Sequence, residues 1–209
     1  MKGVIFDLDG TLIDSSSAWL TLASGYLKFK GITPVDNVDE ILKKASLEEG
    51  AEYFISNYGF ELSVDEIISD VNVYMKSKYE NEFNLKDGAA EYIKYLKNNG
   101  VKVSLATMTT RTLVEKVLSR HNILDLFDYI NTCSEVGFSK KHPNVYLKCC
   151  TDMNLDISDV VVFEDSLPCI KVAKKAGFYV VGIKDIDKGS EELIKEISDK
   201  YIKSFKDMI

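Results

Sequence analysis

Phe6-Asp7-Leu8-Asp9-Gly10-Thr11 is the stretch on which the reading of this chain turns. It closes the short run Val4-Ile5-Phe6, and a strand that is apolar at every position belongs in a sheet covered on both faces. Side chains two apart on a strand point to one side, so Asp7 and Asp9 address the same small volume. The carboxyl end of a parallel strand is where open α/β sheets bind their ligands. Gly10 lets the chain turn away and leaves the Asp9 carbonyl able to face a cation. Taken alone, the segment equally fits a strand-ending turn with two solvated acids.

Working outward from this first strand (Val4–Asp9), similar β-branched runs that end in polar residues recur at Val101–Thr107, Tyr129–Cys133, Val160–Asp165 and Tyr179–Ile183, with a weaker one at Tyr201–Phe205. Helical patterns alternate with them. Asp87 is read as the N-cap of Gly88–Asn98, Thr109 or Thr110 as that of Leu113–Arg120, and Gly177 as the stop of Pro168–Lys175. Strand–helix alternation of this kind specifies α/β architecture, a Rossmann-like, doubly wound parallel sheet. About ninety residues separate the first strand from the second, far more than a crossover needs. Within them Trp19, Leu22, Ala23 and Tyr26 recur at helical spacing, with Trp19 read as core, and Ser46-Leu47-Glu48-Glu49 and Ser63-Val64-Asp65-Glu66 are capping boxes. The expected organisation is an α/β core domain of residues 1–14 and 86–209, with an inserted helical cap subdomain of residues 15–85 at the sheet's carboxyl edge.

The other strand ends carry chemistry as well. The second ends in Thr107, the fourth in Glu164-Asp165, and Lys140-Lys141 follow the third. Each has a bland reading, as a turn hydroxyl or a solvated charge. Paired acids after four apolar residues, however, need a cation or strong donors. All these groups lie where one crevice could gather them.

Composition narrows the function. The 209 residues hold 26 Lys+Arg against 33 Asp+Glu, a formal charge of −7 that disfavours nucleic acid as a partner. No run approaches the ~18 apolar residues of a membrane span, and the first residues break into acid before a signal peptide could develop, so no membrane partner and a cytoplasmic location are expected. Cys133, Cys149, Cys150 and Cys169 show no Cys-x-x-Cys spacing and read as buried, reduced thiols. Nothing in the sequence sets the oligomeric state; a monomer suffices.

In four motifs, in order, the chain resembles the haloacid-dehalogenase-like phosphohydrolases, in the helical-cap branch that includes β-phosphoglucomutase and phosphoglycolate phosphatase. These are Asp7-Leu8-Asp9-Gly10-Thr11, Ser104-Leu105-Ala106-Thr107, Lys140 with Pro143, and Val162-Phe163-Glu164-Asp165-Ser166. The third departs from the family's Gly-Lys-Pro-x-Pro-Asp, reading Ser139-Lys140-Lys141-His142-Pro143-Asn144. Register favours Lys140 over Lys141, because Pro143 and Tyr146 then fall where the family places its proline and aromatic.

The resemblance implies a Mg²⁺-dependent phosphatase of small phosphomonoesters, sugar phosphates or similar metabolites. Asp7 is then the nucleophile that becomes an aspartyl phosphate, and Asp9 the general acid and base. Mg²⁺ is held by the Asp7 carboxylate, the Asp9 carbonyl and Asp165, with Glu164 as a further or outer ligand. Thr107, the Met108 amide and Lys140 hold the phosphoryl oxygens. Charge agrees: four acids against one lysine repel a phosphate dianion unless a divalent cation is bound, and crowding favours a protonated Asp9. The cap is expected to set specificity, with Ser15, Ser16, Trp19, Lys43, Lys44 and Ser46 as candidates. His142 reads as exposed, and His121 as serving a helix dipole.

Two alternatives stand beside this one. A phosphosugar mutase uses the same core, but Trp19 stands at about the position of the mutase histidine and the cap segment contains no Arg. A non-catalytic phosphoacceptor module gathers similar residues but without a helical insertion, and a binding protein that kept the fold has no need of the full set Asp7, Asp9, Lys140 and Asp165.

Overall fold

The computed structural model describes residues 1–43, 45–186 and 189–209; Lys44 of the cap candidates lies outside them. Strand β1 is Gly3–Phe6. Helices α1 (Ser16–Leu20), α2 (Leu22–Phe29), α3 (Val38–Leu42), α4 (Leu47–Tyr58) and α5 (Val64–Asn81) follow it. Then come α6 (Ala89–Asn98), β2 (Lys102–Thr107), α7 (Arg111–Arg120), β3 (Tyr129–Thr132), α8 (Cys133–Val136) and α9 (Asn144–Met153). The chain ends with β4 (Val160–Glu164), α10 (Leu167–Lys175), β5 (Tyr179–Ile183), α11 (Glu191–Ile197) and β6 (Lys200–Ile202). It divides into two compact units, Met1–Ser15 with Phe83–Ile209, and Ser16–Glu82.

In the first unit the strands form one sheet in the order β3-β2-β1-β4-β5-β6, every pair parallel. This is the doubly wound architecture read from the alternating pattern, and strand order reverses between β1 and β4, where such sheets open a crevice. Register sets Phe6 beside Leu105 on one side and Phe163 on the other. Period-two alternation then builds two cores. One face sends Ile5, Ala106, Val162 and Val180 against Tyr146, Cys149 and Met153 of α9. The opposite face packs Phe6 against Phe163, Phe205 and Tyr92, with ring centroids 4.9, 5.8 and 6.2 Å away. Truncating so buried a phenylalanine costs about 3–5 kcal/mol.

Several boundaries differ from the sequence reading, each for a local reason. β1 stops at Phe6 because the Leu8 carbonyl turns to accept the amides of Leu12 and Ile13 at 2.9 and 3.0 Å. Asp87 does not cap α6. Gly88 takes the N-cap with φ 78°, where a Cβ would lie 2.7 Å from the Lys206 amide, and Asp87 instead accepts from Ser204 Oγ at 3.0 Å and pairs with Lys206 at 2.6 Å. The last strand ends at Ile202, and Phe205 opens a 3-10 turn. Helix α9 escaped the sequence reading because its buried stripe runs through Tyr146, Cys149 and Cys150, residues of modest helix propensity.

The second unit is helical. Both capping boxes form: Ser46 and Glu49 exchange bonds of 3.2 and 2.7 Å, and Ser63 and Glu66 bonds of 3.4 and 2.8 Å. Tyr26 and Phe54 are at its centre, 5.6 Å apart. Trp19 is not core as expected. The helix breaks at Thr21, which shifts α1 out of phase with α2 and leaves the indole 45% exposed. Among the described residues no helix is long and apolar enough to cross a membrane.

Candidate active site

The crevice between β1 and β4 is where the sheet brings the acids together. The Asp7 amide extends the ladder by donating to the Phe163 carbonyl at 3.0 Å, which sets the Asp7 side chain beside Glu164 and Asp165. Oxygens of these three carboxylates lie within 4.8 Å of one another. Lys140 reaches them from the segment after α8. Its ammonium, 4% exposed, donates to Asp7 Oδ1 and, at 2.6 Å, to Glu164 Oε1. Glu164 is pinned further by the Tyr146 hydroxyl at 2.8 Å and the Ser166 amide at 3.3 Å. Thr11 Oγ1 donates to Asp165 Oδ1 at 2.8 Å.

Three buried or part-buried acids thus face one ammonium, and the electrostatics follow. Burial, then the neighbouring Glu164 and Asp165, hold the Asp7 carboxyl well above its ordinary range, and Lys140 offsets only part of this. Asp165 is pushed up to about 7, by burial first and Glu164 second. Burial opposes the Lys140 charge, but Asp7 and Glu164 outweigh it and keep the ammonium protonated. The Tyr146 hydroxyl is raised by burial and by Glu164, so it stays a donor. An excess of carboxylate over ammonium in an oxygen-only donor set is what a hard divalent cation requires. The Asp7, Glu164 and Asp165 cluster fits such an ion.

The sequence profile of the haloacid dehalogenase-like hydrolases matches residues 4–183. The chain belongs to this family. It is 30% identical over 186 residues to the validoxylamine A 7'-phosphate phosphatase of Streptomyces hygroscopicus subsp. limoneus, covering 87% of this chain and 85% of that one. It is 27% identical over 175 residues to hexitol phosphatase B of Escherichia coli K12, covering 82% and 78%. A solved structure from Thermotoga maritima, provisionally named a beta-phosphoglucomutase, superposes with a TM-score of 0.85 at 23% identity over 97% of this chain and 94% of its own, a likeness of fold.

In this haloacid dehalogenase-like hydrolase the other candidates take distinct places. Asp9 is part-buried. Its Oδ1 accepts from Ser15 Oγ at 2.8 Å and its Oδ2 from Thr109 Oγ1 at 2.5 Å. The crowding expected around Asp9 falls on Asp7, Glu164 and Asp165 instead. Thr107 is buried, and its hydroxyl accepts from the Thr109 amide at 3.0 Å while keeping its own proton to donate. The Met108 side chain is exposed at the head of the same turn. Lys141 and His142 are exposed, the histidine edge-on to Phe138. His121 caps the carboxyl end of α7 and also contacts the Phe83 carbonyl at 2.8 Å. Cys133, Cys149 and Cys150 are buried, whereas Cys169 is only partly so.

Three polar partners lie outside the candidate set. Thr11 lies inside the first motif without a role assigned from the sequence, Tyr146 serves there only to fix register, and Thr109 is one of two alternatives for a helix cap. Thr110 occupies that cap, without a side-chain bond. Only the spacing of Thr11 from Asp9, short enough to return to the same strand end, could have suggested a part in the site.

Proposed function

We propose that this protein is a Mg²⁺-dependent phosphatase that hydrolyses a small phosphomonoester on a polyhydroxylated, sugar-like alcohol. The observation that carries the reading is the buried Lys140 ammonium held between Asp7 and Glu164, beside an excess of carboxylate. A structural ion pair needs no third acid, whereas a site for an anion and a cation needs both charges close together. The relatives named for validoxylamine A 7'-phosphate and hexitol supply the substrate class.

Asp7 attacks phosphorus through a carboxylate oxygen, and the bond from phosphorus to the ester oxygen breaks. Asp9 gives its proton to the departing alcohol, then takes one from the water that hydrolyses the aspartyl phosphate, releasing inorganic phosphate and restoring Asp7. The Ser15 and Thr109 hydroxyls orient Asp9 through this exchange. Lys140, Thr107 and the Met108 amide hold the phosphoryl oxygens, and Glu164 and Tyr146 keep Lys140 aimed. Asp7, Asp165 and the Asp9 carbonyl would hold Mg²⁺, whose positive charge would let a dianion approach the acids. Residues 15–85 serve as a cap that selects the leaving group.

Acid-quenched turnover of a ³²P-labelled sugar phosphate tests the scheme. Label recovered on the Asp7 peptide, with Mg²⁺-dependent release of inorganic phosphate, is the expected result. Release without labelling, or conversion to an isomeric sugar phosphate, would overturn it.

A further inference from the structure

Arg111 stands where a cation is out of place. It is the first residue of α7, whose first turn holds no acid, and a helix N-terminus carries partial positive charge that favours anions. Thr110, at the N-cap, makes no side-chain capping bond. A residue that breaks a local rule needs a compensating partner, and such breaks gather at functional sites.

The partner is Glu135. Arg111 Nε donates to Glu135 Oε1 at 2.5 Å and Nη2 to Oε2 at 2.8 Å, and Nη2 also donates to the Ile130 carbonyl at 2.7 Å. Glu115, one turn on, lies further off at 3.7 Å. Glu135 is itself held, because it completes the capping box of α8 with Thr132, whose hydroxyl donates to Oε2 at 2.9 Å. The Arg111 bonds are the main cause that brings the Glu135 carboxyl down to about 2, so the pair stays charged at any working pH.

Register gives this pair its significance. Thr107 of β2 lies directly beside Thr132 of β3, and beyond them the chains part. One branch makes the turn through Met108, Thr109 and Thr110; the other makes α8 and, after Gly137 at φ 80°, leads to Lys140. Arg111 and Glu135, shortly past that register pair, tie the two branches together again. A two-bonded Arg–carboxylate pair fixes direction as well as distance, which a lysine does not. The side chains are 41% and 44% exposed, so the pair adds little stability and its value is geometric.

We propose, resting on the phosphatase reading, that Arg111 acts through Glu135 as a positioning residue. It sets the spacing between the Thr107–Met108 turn and the Lys140 segment, the two sides that hold the phosphoryl oxygens. Without the clamp the two branches move independently, and the transferring group is gripped less tightly. Such a defect lies on the phosphoryl side and is blind to the leaving alcohol, whereas a defect in the selection of the leaving group is not.

Calorimetric titration with inorganic phosphate in Mg²⁺ tests this directly, alongside hydrolysis of glucose 6-phosphate and p-nitrophenyl phosphate. Arg111→Met is expected to weaken phosphate binding about tenfold and to lower kcat/KM by a similar factor for both esters, with Tm shifted by no more than a few degrees. Arg111→Lys, which keeps the charge but not the fork, stays impaired, and adding Glu135→Gln to Arg111→Met costs little more. Unchanged phosphate affinity in folded Arg111→Met, full recovery by Arg111→Lys, or losses that differ about tenfold between the esters overturn the proposal. Should Arg111→Met fail to fold, Glu135→Gln alone decides on the same readouts. If the unmodified protein neither binds phosphate nor releases it, the phosphatase reading falls and the clamp with it; normal turnover with an indifferent Arg111 refutes the clamp alone.

Discussion

Asp7 is buried against the Lys140 ammonium with two more carboxylates beside it, whereas Asp9, two residues on, is part-exposed and takes hydrogen bonds from the hydroxyls of Ser15 and Thr109. Strand periodicity would put both acids in one environment. The strand ends at Phe6, before either acid, and the two side chains find different partners. An acid packed against a fixed cation is held for bond formation, and one among neutral hydroxyls is free to exchange a proton. Environment rather than residue type therefore divides the roles.

The sharpest way to break this contrast is Asp7→Asn, which removes the nucleophile and keeps the shape. Turnover is expected to fall by about 10⁴-fold or more with thermal unfolding little changed; a variant that keeps more than a hundredth of the rate shows that the two acids are interchangeable. Next comes Lys140→Met, which leaves Asp7 and Glu164 facing each other without the ammonium. Breaking a buried pair in this way costs about 3–5 kcal/mol by denaturant titration at neutral pH. The loss should shrink in acid, where the carboxyls can protonate.

The pH dependence of the metal-free protein follows from the same crowding. Asp165 has its pKa raised from 3.8 to about 7, and Asp7 moves in the same direction, so the folded state binds protons more tightly than the unfolded one. Their stabilising contribution is complete below about pH 4 and is lost as pH rises through 7. Denaturation in chelator should therefore be easier at pH 8 than at pH 5, with Mg²⁺ restoring stability at pH 8; the reverse order would show that the acids are not crowded. The smallest effect belongs to the hydroxyl side. Thr109→Val deletes one bond to Asp9, and a typical hydrogen bond is worth about 0.5–1.5 kcal/mol. A fall in kcat of about tenfold, with a displaced pH–rate profile and unchanged KM, distinguishes positioning of Asp9 from a merely structural role.

What the sequence disclosed was whatever its local grammar carries. Apolar runs that end in acids revealed the strands and placed Asp7, Thr107 and Glu164 at their ends, and register distinguished buried Lys140 from exposed Lys141. What it withheld depends on distant partners. Thr109 meets Asp9 across a hundred residues of chain, and nothing around Thr109 distinguishes that bond from a helix cap. Asp87 sits where a cap belongs but is claimed by Ser204 and Lys206, more than a hundred residues on. Trp19 keeps helical spacing with Leu22, yet one non-helical residue, Thr21, moves it off the buried stripe.

The strand order has a further consequence, for how the chain emerges during synthesis. β1 is made early, but both its sheet neighbours come later, β2 at Lys102–Thr107 and β4 at Val160–Glu164. At roughly 5–20 residues per second, a ribosome leaves the Val4–Phe6 edge waiting on the order of ten to thirty seconds for its second partner. During that interval the helical insertion, whose contacts are local, can already fold, while the bare apolar strand is exposed to other nascent chains. The same topology that brings Asp7 and Asp165 together delays this centre until β4 has been made.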